Sequence, residues 1–260
     1  MSSRPASVVH RSSFIPHPFL FALVLAAAGC PKRAELPPVP QDAQQAIDQA
    51  MGNMEAKRYR QAEDQLTFII FNFPGSHQAS DAQYYLAETY FRSQDYLQAQ
   101  DEFDFYLKSF PNGRFQEEAT YELAVSYLRS APGPVRDQTR SLKAREIIDQ
   151  FLETYPDSPL RPEAESLRGQ IGERLALRQF DAARIYYTSG EYKSALVYYN
   201  YVNDSFPAKR WPGVERYRFA VCLLETGDTT RARAVLSELV TGDCEPAVKK
   251  LARAALARTS

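Results

Sequence analysis

What this chain has little of narrows its chemistry at once. It carries three histidines, three cysteines and one tryptophan in 260 residues. His10 and His17 fall within the first 29 residues, which leaves His77 in the loop-like stretch "FPGSHQAS", beside an expected helix start. A solvated loop histidine with no second histidine or cysteine cluster provides no zinc-ligand set and no general-base pairing. No glycine-rich phosphate loop and no nucleophile elbow occurs. Carboxylates are plentiful, but they fall on polar helix faces, where solvation is their default role. An enzyme is therefore not expected, nor a metal, nor any other cofactor. Charge of one sign is also missing. With 31 basic residues against 32 acidic ones there is no basic stripe, so nucleic acid is not an expected partner. No apolar run reaches the about 20 residues that a membrane-spanning helix needs.

The amino terminus reads as a separate object. Arg4 and Arg11 are its only charges before Pro31, and an apolar run from Phe19 to Ala28 leads into Gly29 and Cys30. Its length and small-residue ending are those of a secretory signal. "LAAAGC" resembles a bacterial lipoprotein signal, in which the cysteine is lipidated and becomes the first mature residue; Ala27 stands where that signal usually has leucine. On this reading residues 1–29 are removed, Cys30 is the lipid attachment site, and 30–41 form an extended proline-rich linker at roughly 3 Å per residue. An ordinary secretory signal cut near the alanines is the alternative. Loss of 1–29 takes away two arginines and no acids, leaving 29 basic and 32 acidic residues, with His77 as the remaining histidine.

From about residue 42 a pattern repeats. An alanine is followed by large apolar residues four and seven positions later, and then by a proline twelve after the alanine. The sets are Ala62, Leu66, Ile69, Pro74; Ala99, Phe103, Tyr106, Pro111; Ala144, Ile148, Phe151, Pro156; and Ala195, Tyr199, Val202, Pro207. Ala232, Leu236 and Leu239 make a fifth copy without the proline. Spacings of three and four put each set on one helix face, with the alanine admitting a close neighbour and the proline stopping the helix. A second helix precedes each copy. Its buried face is expected at Leu86, Ala87, Tyr90; Leu123, Ala124, Tyr127; Ala182, Ala183, Tyr186; and Phe219, Ala220, Leu223. Antiparallel helices of this kind resemble the tetratricopeptide repeat, whose signature runs about 34 residues. The expected fold is all-α: a tetratricopeptide-repeat superhelix of about five helix pairs plus a carboxy-terminal helix. The repeats lie near 43–76, 80–113, 117–158, 162–209 and 213–243, with a closing helix over 245–258. The segment 129–140 lengthens the third turn, and an unbroken helical pattern over 162–188 opens the fourth repeat.

Stacked helix pairs of this type present a groove lined by their first helices. The fifth repeat position holds Ile47, Tyr84, Tyr121, Phe180 and Tyr217, and the twelfth holds Met54, Phe91, Leu128, Tyr187 and Leu224. The thirteenth adds Glu55, Arg92, Arg129, Thr188 and Glu225, which puts arginines in repeats two and three. Tyr84, Phe91, Arg92, Tyr121 and Arg129 are thus the expected client-binding groove: an aromatic strip for an extended segment, with arginines able to pair a terminal carboxylate. The alternative is that neighbouring helices, including the long one from 162, cover these positions. Tyr90, Tyr96, Phe103 and Tyr106 are expected in the core. Cys222 and Cys244 fall too far apart along a helical hairpin for a bridge, which tolerates at most about 7 Å between Cα atoms, so Cys222 is expected as a buried free thiol.

A lipoprotein signal, a short linker and five such repeats together resemble the BamD (YfiO) family of outer-membrane assembly lipoproteins. The carriers are "DAQYYLAETYF" with "DYLQAQDEFDFYLKSFPNG", the lengthened third repeat, and "FDAARIYYTSGEYKSALVYYNYVNDSFP". The resemblance implies a non-catalytic adaptor of the β-barrel assembly complex, lipid-anchored on the periplasmic face of the outer membrane. Its partners would be a BamA-like barrel subunit, docked on the carboxy-terminal repeats, and unfolded barrel clients, met by the amino-terminal ones. A coordinator of the Tol–Pal type, or a scaffold of another envelope machine, remains the alternative.

Overall fold

The computed structural model describes residues 42–134, 136–205 and 211–258; the expected leader, Cys30 and linker lie outside the described residues, as does Pro207. Among the described residues there are eleven α-helices and no strand. They pair in chain order: α1 (Ala43–Glu55) with α2 (Tyr59–Asn72), α3 (His77–Arg92) with α4 (Tyr96–Ser109), and α5 (Gln116–Ser130) with α6 (Thr139–Thr154). Next come α7 (Arg161–Thr188) with α8 (Tyr192–Ser205) and α9 (Gly213–Glu225) with α10 (Thr229–Thr241), and α11 (Pro246–Ala257) closes the stack. This is the tetratricopeptide-repeat arrangement that the spacing predicts.

The turns inside the pairs follow one rule. A residue in the left-handed region ends the first helix: Lys57 (φ 57°), Gln94 (φ 68°), Gly190 (φ 76°) and Gly227 (φ 91°). Its N–H and the next one fold back onto the last-turn carbonyls, from Gln94 to Phe91 (3.0 Å) and from Asp95 to Tyr90 (2.9 Å). The same two bonds run from Gly190 to Tyr187 (3.1 Å) and from Glu191 to Tyr186 (2.9 Å), the closing pattern of a Schellman motif. Asp95 and Asp228 then cap the second helix by accepting from the N–H of Gln98 and Arg231. Repeat three departs from the rule because its turn is longer. The long helix α7 holds that turn from the side. Arg174 donates to Ser141 Oγ (3.0 Å) and to the Ala131 carbonyl (3.0 Å), and Arg178 to the Arg136 carbonyl (2.6 Å).

The alanine and both large apolar residues of all five copies are buried, from Ala62 to Leu239. Tyr90 is half-buried and donates its hydroxyl to Glu63 (2.9 Å). Tyr186 is not in the core. It is 36% exposed and stacks on Tyr198 with ring centroids 5.5 Å apart. The buried stripe there runs through Gly172, Ala176, Phe180 and Ala183 and continues to Tyr187, which leaves Tyr186 one residue off the stripe. At 28 residues, α7 is about 42 Å long at the helical rise. It belongs to two cores: Ala164, Leu167, Ile171 and Leu175 pack with α5 and α6, whereas Ala176, Phe180 and Ala183 pack with α8 and α9. Cys222 is buried and Cys244 half-buried, both as free thiols, and burial pushes the Cys222 thiol up to about 12.

Candidate functional site

The first helices of repeats one to three converge on a cavity of about 220 Å³, and one side chain from the turn before α5 shapes it. Tyr106, the large residue of the repeat pattern in α4, reaches that turn and accepts the Phe115 N–H on its hydroxyl (3.0 Å). Gly113 makes room for it, since a Cβ there would lie 2.2 Å from the same hydroxyl. So fixed, Phe115 stacks on Tyr84 with centroids 4.2 Å apart and planes 16° from parallel. Arg114 lies over the Phe115 ring at 4.5 Å and forms an ion pair with Asp81 of α3 (2.8 Å), which ties the turn to α3 from the outer side.

Around this aromatic wedge stand Met51, Met54 and Glu55 of α1, Tyr85, Glu88 and Arg92 of α3, and Glu118 of α5. Three carboxylates therefore face one guanidinium, and that guanidinium is already taken. Arg92 Nε donates to Glu88 Oε1 at 2.9 Å, one helical turn away, and the Glu88 side chain is only 13% exposed. A fourth carboxylate, Glu122 of α5, is 3.5 Å from the Tyr84 hydroxyl, a long and weak contact. No cation forms an ion pair with it among the described residues. Burial, seconded by the charge of Glu88, pushes the Glu122 carboxyl up to about 8, against the smaller pull of Arg92. Burial also holds the Tyr84 phenol well above the ordinary tyrosine range, helped by Glu122, Glu88 and Glu118.

The five groove residues expected from sequence are thus divided. Tyr84 is 6% exposed and forms the floor of the cavity rather than an open surface, because Phe103, Tyr106 and Phe115 all pack on it. Arg92 lines the same cavity, but with its charge committed to Glu88. Phe91 is half-buried edge-on against Tyr96 (5.6 Å) and Phe103 (6.4 Å) and is not part of the lining of the α1–α3–α5 cavity. Tyr121 lies apart, in a depression of about 290 Å³ with Pro162, Glu163, Ser166 and Gln170 at the start of α7. Arg129 is exposed and makes no hydrogen bond or ion pair with the described residues. Tyr84 and Arg92 thus line one depression with an acidic rim, and Tyr121 lines a second that carries a single carboxylate, Glu163. Glu55 was already on the groove face at the thirteenth position, but Glu118, Glu122 and Glu88 were missed, although they occupy the second, sixth and ninth positions of the repeat, all on the first helix. Reading those positions beside the aromatic ones would have found them.

Among the described residues, no group of three or more His, Cys, Asp or Glu is placed to hold a metal ion, and no helix is long and apolar enough to cross a membrane.

Residues 40–213 match the family described as YfiO, outer membrane lipoprotein. No curated protein matches the chain. Among solved structures, a thermophilic TPR protein of Thermus thermophilus is similar at 14% identity and TM-score 0.40, covering 84% of this chain and 98% of that one. The TPR2AB domain of yeast Sti1, in a pHSP90 complex, is similar at 12% identity and TM-score 0.47, covering 83% and 84%. A tetratricopeptide repeat protein of Parabacteroides merdae is similar at 14% identity and TM-score 0.38, covering 84% and 86%.

Proposed function

Because the chain belongs to the YfiO family of outer membrane lipoproteins, we propose that it is a non-catalytic adaptor of β-barrel assembly, tethered through a lipid on Cys30 at the periplasmic face of the outer membrane. Its amino-terminal repeats receive an extended segment of an unfolded barrel client in the cavity between α1, α3 and α5. Its carboxy-terminal repeats dock a BamA-like barrel subunit. The observation that carries the reading is the family match, which spans four of the five repeats. Two features support the division of labour. Met51, Met54 and Phe115 give the cavity an apolar wall at the scale of one side chain, smaller than the sites that enclose whole small molecules. In repeat four Ile185 and Val197 are 59% and 66% exposed, apolar area that a docked partner would cover.

The test is affinity purification of the tagged chain from detergent-solubilised source membranes, with co-purified proteins identified by mass spectrometry. The expected result is a large outer-membrane barrel protein with periplasmic repeat domains. Recovery of Tol–Pal components, or of no barrel protein, would remove the assembly role and leave the fold intact. Cys30→Ala should move the protein from the membrane pellet to the soluble fraction after an alkaline carbonate wash, which strips subunits held only by protein contacts. Undiminished membrane attachment of that variant would rule out lipid tethering as the anchor.

A further inference from the structure

The charge around the α1–α3–α5 cavity has a direction that the repeat fold alone does not dictate. An aromatic groove with an arginine at its edge would welcome the carboxylate of a chain end. Here Arg92 is held by Glu88, and Glu55 and Glu118 complete a rim with two more carboxylates than cations. A client carboxylate entering this rim meets like charge at short range. A cation meets the reverse. The rim cannot satisfy itself with a bound metal, because among the described residues no three acidic groups converge closely enough to hold one. The cation that fits is therefore an extended organic one, with a stem for the apolar wall and a charged head for the rim. Met51, Met54 and Phe115 supply that wall, and long basic side chains bury their methylene stems while keeping their heads on polar groups. The methionines add an adaptable surface that does not demand one exact stem shape.

We infer that the cavity between α1, α3 and α5 recognises a lysine or arginine side chain of an extended polypeptide, with the stem against Met51, Met54 and Phe115 and the head among Glu55, Glu88 and Glu118. This rests on the client-binding role proposed for the groove and names what that groove selects: a basic residue within the segment, in place of the terminal carboxylate that the sequence pointed to. Glu122 stands behind the lining, not in it. It lies against the Tyr84 hydroxyl on α3 with Glu88 and Arg92 of α3 and Glu118 of its own helix as charged neighbours. A cation seated in the cavity favours its ionised form, so binding should release a proton near neutral pH and tighten as pH rises towards 9.

The test uses the full chain and three fluorescein-labelled nonapeptides with blocked ends. All share alternating tyrosine and phenylalanine, and one central position is Arg, Gln or Glu. Fluorescence anisotropy should rank them Arg, then Gln, then Glu, with about a fivefold gap at each step. Glu55→Gln with Glu118→Gln, both on solvent-facing rims and so tolerated by the fold, should close the gap between Arg and Glu peptides. Glu88→Gln leaves two carboxylates against a freed Arg92, so it should narrow the preference for the Arg peptide without reversing it. Equal affinity for the three peptides, preference for Glu, or no binding of any of them overturns the inference. Its failure is separable from that of the assembly role. A barrel subunit recovered from membranes with no charge preference on peptides sinks only this inference; charge preference with no barrel subunit recovered sinks only the assembly role.

Discussion

Two buried tyrosines each meet a glutamate in this molecule, and the two pairs have opposite fates. In the carboxy-terminal half, Tyr199 donates to Glu215 at 2.9 Å, and Arg218 closes the other carboxylate oxygen at 2.6 Å. Trp211, Phe180 and Phe219 seal the group from outside. In the amino-terminal half, Tyr84 and Glu122 are 3.5 Å apart with no ion pair to the carboxylate among the described residues, and only Tyr84 of the two lines the cavity. The first arrangement is complete: every charged oxygen has a donor, as a buried carboxylate requires. The second is incomplete, and burial drives its carboxyl to about 8. One residue pair is thus completed within the core in one place and left incomplete beside a cavity in the other, and a third residue, present or absent, makes the difference.

Breaking the complete pair should cost most. Arg218→Ala leaves Glu215 buried without its cation and should lower unfolding free energy by about 2–3 kcal/mol. The matching Arg92→Ala, at a side chain 46% exposed, should cost less than about 1 kcal/mol. Urea denaturation of both variants reads the contrast, and equal losses would dissolve it. Next in size is Gly113→Ala, whose Cβ collides with the Tyr106 hydroxyl. The Phe115 N–H loses its acceptor, and overpacking should cost about 1–3 kcal/mol, with a changed near-UV circular dichroism signal from the Tyr84–Phe115 stack. A native spectrum and stability would mean that the stack does not depend on this turn.

Glu122→Gln sharpens the comparison through pH. The folded carboxyl lies above its ordinary 4.5, so its neutral form suits the fold. The stability linked to it is full below about 4.5 and declines as pH rises towards about 8. The variant should therefore melt with the parent at pH 5 and roughly 2–4 °C above it at pH 9, the change expected for about 1 kcal/mol in a domain of this size. Parallel melting curves at both pH values would remove Glu122 from the account. The smallest effect is expected at Gln94, which holds φ 68° where repeats four and five have glycine. Gln94→Gly should stabilise by about 0.5 kcal/mol, because relief of left-handed strain outweighs the greater freedom of glycine in the unfolded chain. A drop in melting temperature would reverse that sign.

The fold was legible because its information is local and periodic. Alanines 62, 99, 144, 195 and 232 and their partners four and seven residues on repeat one face of one helix type, and each is buried. One misplacement, Tyr186, comes from the stripe drifting along a 28-residue helix, where a single residue of phase moves a side chain from core to surface. The site was less legible. Tyr84 and Arg92 were assigned to the groove by their repeat positions, but position names a face and not what leans on it. Phe115 comes from a turn outside the helical pattern, and its stacking on Tyr84 turned a surface residue into a floor. Pairing of Arg92 with Glu88 follows i,i+4 spacing and was available in the sequence.

By itself the sequence determined that this chain forms stacked helix pairs and where each buries its seam, since helical period and residue size are properties of neighbours along the chain. The tertiary structure alone decided that Glu55, Glu88 and Glu118, spread over three helices, line one cavity, and that Glu122 lies beside the Tyr84 hydroxyl at its floor. The gap between successive first helices is set by what wedges between them, and an electrostatic field depends on distances across that gap.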